Sequence, residues 1–220
     1  MPAEVKAHGI ILRVRPSSDT SLVVEWLTRG GILATLAKGA RGPKSAFRGK
    51  IDLFFEADFS FHQRANGSLH YLKEILATAT NPHLRDTEKL ASASGAILLI
   101  ERNVERDTPV PGIFLLLQDF LEALKLDAPA AWISLAFEWK FLEEMGLAPA
   151  PDDLPVERGT KAILEFASRN PIHSSALLRP DPAQLLEIRR SITRLGAEAD
   201  IRLPPSRPGP RRKPPDRAYP

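Results

Sequence analysis

The 220-residue chain has no cysteine, which excludes disulfides and thiolate metal sites at once. Its longest apolar runs are too short to span a bilayer, and its start, Met1 to His8, lacks the apolar core of a signal peptide. A cytoplasmic protein with no membrane contact is therefore expected. The five histidines, His8, His62, His70, His83 and His173, are scattered, with no pair at helical ligand spacing, so no zinc site and no other cofactor is expected. No Gly-x-Ser-x-Gly elbow is present, and the acidic pairs Glu143-Glu144 and Asp152-Asp153 suit a helix end and a solvated loop. Nothing marks a catalytic centre. No internal repeat is visible either.

What the chain does have is an uneven charge. Residues 1–80 carry 11 basic and 7 acidic side chains, 81–200 carry 13 and 19, and 201–220 carry 6 and 1, so a net +3 conceals a basic front, an acidic middle and a basic end. Contacts with a polyanion belong to the front. The charge concentrates in Ala37 to Lys50, where Lys38, Arg41, Lys44, Arg48 and Lys50 stand with no acidic residue among them. Gly39, Gly42, Pro43 and Gly49 make this stretch a mobile loop in expectation. Gly39-Ala-Arg-Gly42-Pro43-Lys44-Ser45 has the look of a nucleotide-phosphate loop, but only two residues separate its glycines and Pro43 lacks the N–H a phosphate cradle needs. NTP hydrolysis is not expected.

Around that loop the pattern is β. Lys6 to Arg15 alternates Ile10, Leu12 and Val14 on one face with Ile11, Arg13 and Arg15 on the other. Ser21 to Thr28 is apolar enough to be covered on both faces, and Ile32 to Ala37 leads into the basic loop. Asp52 to Gln63 alternates most clearly, with Leu53, Phe55, Ala57, Phe59 and Phe61 together and only Phe54 interrupting the polar side. Asn66-Gly67 predicts a type I′ hairpin into a fifth strand from Leu69 to about Ala77. Five antiparallel strands with a long interruption after the third predict an OB-fold barrel over residues 1–80. Trp26, Phe55, Phe59 and Phe61 are expected in its core.

Helical spacing begins after Pro82. The expected helices run from Thr87 to about Glu105 with Asp86 as cap, from Ile113 to Leu126, from Pro129 to Met145, from Gly159 to Ser168, and from Pro182, capped by Asp181, to Gly196. Residues 81–203 thus form a helical domain, and the overall class is α+β. From Pro204 to Pro220 seven prolines and five basic residues share 17 positions, a composition that predicts a disordered tail.

A basic loop emerging from a small barrel, with Arg13, Arg15 and Arg64 available to the same surface, suits a nucleic-acid backbone. Phe47, inside the loop, either stacks a base or plugs the loop onto the barrel. Gly9-Ile-Ile-Leu-Arg13, Ser17 to Leu22, and above all Ala37-Lys-Gly-Ala-Arg-Gly-Pro-Lys-Ser-Ala-Phe-Arg-Gly49 resemble the RecO family of bacterial DNA repair proteins over most of residues 5–150. The resemblance implies an OB-fold followed by a helical domain. It implies binding of single- and double-stranded DNA, annealing of complementary strands, and work with RecR and single-strand binding protein to load RecA, in the cytoplasm on the nucleoid. Many members place a four-cysteine zinc module after the third long helix, where this chain has only Gly146 to Gly159. Arg189, Arg190 and Arg194 on the last helix resemble the family's basic closing helix, and fit a solvated face equally well. Two other readings fit the same residues: a non-catalytic adaptor whose helical domain holds a protein partner, and an RNA-binding OB module.

Overall fold

A computed structural model describes residues 4–64 and 67–205. Five strands come first: β1 (Glu4–Pro16), β2 (Leu22–Thr28), β3 (Gly31–Ala37), β4 (Glu56–His62) and β5 (Leu69–Ala79). Six helices follow: α1 (Thr87–Asn103), α2 (Pro111–Ala123), α3 (Ala130–Glu144), α4 (Arg158–Arg169), α5 (Ile172–Ser175) and α6 (Pro182–Glu198). The strands close into a barrel in the order β1-β2-β3-β5-β4, β4 pairing back onto β1. This is the OB-fold order, and the α+β class holds. One pairing departs from the expected antiparallel set, because β3 and β5 run parallel. A hairpin cannot join parallel strands, and here the basic loop and β4 make the crossover.

Two local irregularities decide which side chains face the barrel interior. In β1 the register against β2 shifts between Ile11 and Arg13. This bulge at Leu12 reverses the alternation, so Ile11 and Val14 turn into the barrel core while Ile10 and Leu12 turn outward into the helical core. The expected face of Ile10, Leu12 and Val14 is thus split by one extra residue. The second irregularity is Phe54, whose φ of 64° puts a bulky side chain in the left-handed region. That backbone turn aims Phe54, 3% exposed, away from the barrel and into the helical core. The strand expected from Asp52 therefore begins at Glu56, leaving Leu53 41% exposed and Phe55 only packed against the barrel core.

Barrel and helices share one hydrophobic core, in which Ile10, Leu12, Leu27, Ile32 and Phe54 join the buried faces of α1, α2, α3 and α6. The junction is also made by backbone, since Asp107 N–H donates to the Ile32 carbonyl and Val110 N–H to the Arg29 carbonyl, both at 3.2 Å. Gly31 is required there. A Cβ on it would lie 2.5 Å from the Thr108 carbonyl oxygen, and its φ of +112° is foreign to L side chains.

The helix caps follow the sequence. Asp86 accepts from the N–H groups of Glu88 and Lys89, and Asp181 forms a reciprocal capping box with Gln184 around Pro182. Gly196, the expected stop, instead lies inside α6, where its missing side chain lets Leu203 fold back over the helix. The stretch from Pro171 to Pro180, expected to be irregular, contains α5, whose first N–H groups at Ile172 and His173 donate to the Asp119 carboxylate. The Asn66 turn and the tail from residue 206 onward lie outside the described residues.

Candidate nucleic-acid interface

The basic loop leaves β3 at Ala37, which pairs with Leu22 at the start of β2. It then advances by tight turns, with Gly42 N–H donating to Gly39 O at 3.0 Å, Ser45 to Gly42 at 3.1 Å, Arg48 to Ser45 at 3.2 Å and Lys50 to Phe47 at 3.0 Å. Arg41 N–H donates to Thr20 O at 2.9 Å, tying the loop to the β1–β2 turn. The loop expected to be mobile is thus a hydrogen-bonded ledge. Ala40 is buried in the barrel core, and Phe47 and Ile51 pack against it. Phe47 is half-buried and serves as an anchor.

This anchoring turns the cations outward. Lys38, Arg41, Lys44, Arg48 and Lys50 are all exposed, and among the described residues none pairs with a carboxylate. Arg41 gives one guanidinium donor to Ser18 O at 3.3 Å, and Arg48 one to Pro43 O at 3.2 Å. Each keeps most of its five donors for a ligand. Lys38 Nζ lies 4.3 Å from the centre of the Tyr71 ring and the Arg64 guanidinium 5.6 Å from the same ring. Tyr71, on β5 opposite Leu36 of β3, therefore joins Arg64 to the loop's first lysine. The sequence signal for Tyr71 was weak, because only the parallel β3–β5 pairing brings it to the loop.

Arg13 and Arg15 go elsewhere. The bulge sends both to the outer face of β1, where Glu25 of β2, 5% exposed, pairs with Arg13, Arg15 and Arg106. Arg13 also donates through Nε to Glu101 of α1 at 2.9 Å, a bond that pushes its guanidinium further above its ordinary value. These two arginines therefore compensate a buried carboxylate at the barrel–helix junction. An acid in the apolar string Leu22-Val-Val-Glu25-Trp-Leu27 was the available signal, since a buried carboxylate demands cations. In α6, Arg189 turns inward to Glu138 at 3.1 Å, and burial raises the Glu138 carboxyl despite the nearby guanidinium. Arg190 stays exposed, and Arg194 lies 3.9 Å from Glu198.

A second cluster, not anticipated from sequence, sits where β1 and β4 meet α2. His8 Nε2 is 2.6 Å from Glu56 Oε1 and Nδ1 is 2.8 Å from Asp58 Oδ1, while Gln118 Nε2 donates to Glu56 at 2.6 Å. Burial disfavours the imidazolium, but the Asp58 and Glu56 hydrogen bonds outweigh it and raise the His8 pKa. The stretch from Gly146 to Gly159 is closed by apolar packing, with Leu154 2% exposed and Leu147, Ala148 and Val156 against the core. Among the described residues no three His, Asp or Glu side chains group as metal ligands, and no helix is long and apolar enough to cross a membrane.

Oligonucleotide-binding OB-folds commonly use the outer face of strands 2 and 3. Here Leu27 and Ile32 put part of that face under the helices. The ledge of cations, with Arg64 and Tyr71 beside it, stays open.

The fold and the ledge define an OB-fold protein with a helical extension and a basic β3–β4 loop. Comparison with known proteins narrows the class. The family model "Recombination protein O N terminal" matches residues 1–80, and "Recombination protein O C terminal" matches residues 84–153. A DNA repair protein RecO of Xanthomonas oryzae pv. oryzae (strain PXO99A) is 36% identical over 143 residues, covering 64% of this chain and 58% of the relative. One of Xylella fastidiosa (strain 9a5c) is 33% identical over 163 residues, covering 71% and 66%. The chain belongs to the RecO family, and its match spans about 58% of the length of the first of these relatives.

Proposed function

We propose that the chain is a DNA-binding recombination mediator that acts without catalysis, annealing complementary single strands in DNA repair. The observation that carries this reading is the ledge: five exposed cations held by a packed loop, without an acidic partner among the described residues, in a chain of the RecO family. Phosphates supply the missing counter-charge, and phosphate contacts alone bind strands of any sequence, as annealing requires. Two strands bound through their backbones keep their base edges free to pair. Lys38, Arg41, Lys44, Arg48 and Lys50 are the primary phosphate ligands, with Arg64 extending the track. Arg13 and Arg15 act at the junction, and their loss lowers stability before it lowers DNA affinity. The relatives' name, DNA repair protein RecO, supports a role in DNA repair. Loading of RecA onto DNA coated by single-strand binding protein, with RecR as partner, in the cytoplasm and on the nucleoid, is part of the same proposal and follows from the resemblance to the RecO family.

The test is annealing of two complementary labelled strands by the purified protein and by Lys44→Ala/Arg48→Ala, at low and moderate salt. Annealing that the double variant loses while its fold is kept supports the reading. A folded wild-type protein that anneals nothing overturns it. Repeating the assay with complementary RNA separates a DNA mediator from a general nucleic-acid binder.

A further inference from the structure

Beside the ledge, the outer surface of β1, β4 and β5 forms an open groove of about 800 Å³ whose far edge is the loop itself, at Phe47 and Lys50. Three features of this groove are unused by the phosphate track. Ser60 on β4 lines it and is 4% exposed, yet its hydroxyl has no hydrogen-bond partner among the described residues. A buried hydroxyl is both donor and acceptor, and native structures seldom leave one unpaired. Immediately opposite Ser60, β5 carries a bulge: Ser60 pairs with Glu74 and Phe61 with Leu72, so Lys73 is the extra residue. The bulge puts Lys73 and Glu74, consecutive in sequence, both on the exposed side of the strand. On the other flank Lys6 of β1 pairs with Ser60, and one step along Asp58 pairs with Leu76, which is 66% exposed.

The groove thus combines an apolar wall, a polar floor and a rim of three lysines, Lys6, Lys50 and Lys73. Glu74 is the informative member, since a carboxylate repels a phosphate but accepts hydrogen bonds from the N–H groups of a base edge. Asp58, the other acid here, is already held by His8.

We propose that this groove is a nucleotide subsite, taking one unstacked base of a bound single strand. The base lies against Phe47 and Leu76, its polar edge meets Ser60 Oγ and Glu74, and its flanking phosphates rest on Lys6, Lys50 and Lys73. A base that is stacked and paired cannot present its edge this way, so the subsite selects single strands over duplex. The assignment rests on the DNA-binding reading above and adds to it a place where bases, rather than phosphates, are recognised.

The experiment compares three probes at one salt concentration: a single-stranded 30-mer, the same strand with abasic sites, and its duplex. They are titrated with wild type, Ser60→Ala/Glu74→Gln and Lys44→Ala/Arg48→Ala. The wild type is expected to prefer the base-bearing single strand to the abasic one by about tenfold, the scale of a single base contact. Ser60→Ala/Glu74→Gln should lose most of that preference while binding the abasic strand and the duplex at least as tightly as before, since a carboxylate that repels phosphate is gone. Lys44→Ala/Arg48→Ala should bind all three more weakly and keep the preference. Leu76→Ser, at an exposed position where folding is not at stake, should also reduce the preference. If Ser60→Ala/Glu74→Gln and Leu76→Ser both retain it, the subsite is refuted although the phosphate track stands. If wild type binds none of the probes, the DNA reading itself falls.

Discussion

If the ledge binds phosphates, the salt dependence of single-strand affinity counts its cations. The five ledge side chains, exposed and without carboxylate partners among the described residues, contribute about −3.5 to the slope of log affinity against log salt at about 0.7 counterions released per contact, and Arg64, Lys6 and Lys73 add to it where a strand reaches them. Through the ledge alone, raising salt from about 50 to 200 mM weakens binding about a hundredfold. Replacing Lys44 and Arg48 by alanine removes two contacts, so the slope should become shallower by about 1.4 and the same salt step should cost about sevenfold less. The structure supplies the reason that these substitutions are local. Lys44 makes no hydrogen bond or ion pair among the described residues, and Arg48 donates only to Pro43 O within the same loop, while Ala40 and Phe47 anchor the ledge independently. Fluorescence anisotropy with a labelled single strand at four or five salt concentrations measures the slope directly. An unchanged slope in the double variant would show that the phosphates sit elsewhere, even if absolute affinity dropped.

Two further outcomes test the junction between barrel and helices. Because the folded-state pKa of His8 is raised above 6.5, its charged pairing with Asp58 and Glu56 stabilises the fold fully below that value and is lost as pH rises through the raised pKa. Urea midpoints of wild type should therefore decline relative to His8→Gln as pH rises above 6.5 and through the raised pKa, and parallel pH profiles for the two would refute the pairing. At Phe54, alanine should cost about 3–5 kcal/mol through the lost buried ring. Glycine should cost no more than alanine, reversing their usual order, because the left-handed backbone penalises any Cβ; a glycine variant less stable than the alanine one by about 1 kcal/mol would show that the conformation is not strained.

The sequence disclosed period and composition, and these carried the barrel, the helices, their caps and the cationic loop. It did not disclose where period breaks. Leu12 and Lys73 are ordinary strand residues by type, and only pairing with β2 and β4 reveals that each is one residue too many. The consequence at Leu12 is large, since the bulge decides that Arg13 and Arg15 meet Glu25 and Glu101 at the junction. Phe54 was visible as an interruption of alternation, but its cause is the helical core that receives it, built from residues 30 to 140 positions later. The signal for Tyr71 beside the loop was weak because its neighbours are also set by tertiary pairing. Its ring meets Lys38 and Arg64 only because β5 lies parallel to β3.

These breaks also bear on how the proposed function is positioned. The helices occupy the Leu27 and Ile32 end of the β2–β3 face, where Arg13, Arg15 and Arg106 balance Glu25 and Arg29 lies over the Phe114 ring. On the proposed reading, a strand of DNA approaching the barrel meets the densest run of cations without carboxylate partners among the described residues on the loop side. There the ledge lies along one rim of a groove whose other rim carries Lys6 and Lys73. On the proposed reading, the packing that covers part of a common OB-fold ligand face directs binding to the β3–β4 loop and the β1-β4-β5 surface. A variant that loosens the junction, such as Glu25→Gln, should on this account free Arg15 and Arg106 to the surface, Arg13 staying on Glu101, and leave single-strand affinity unchanged or higher while lowering stability. Decreased affinity in a Glu25→Gln protein that remains folded would mean that the junction itself contacts DNA, and that the ledge is not the main track.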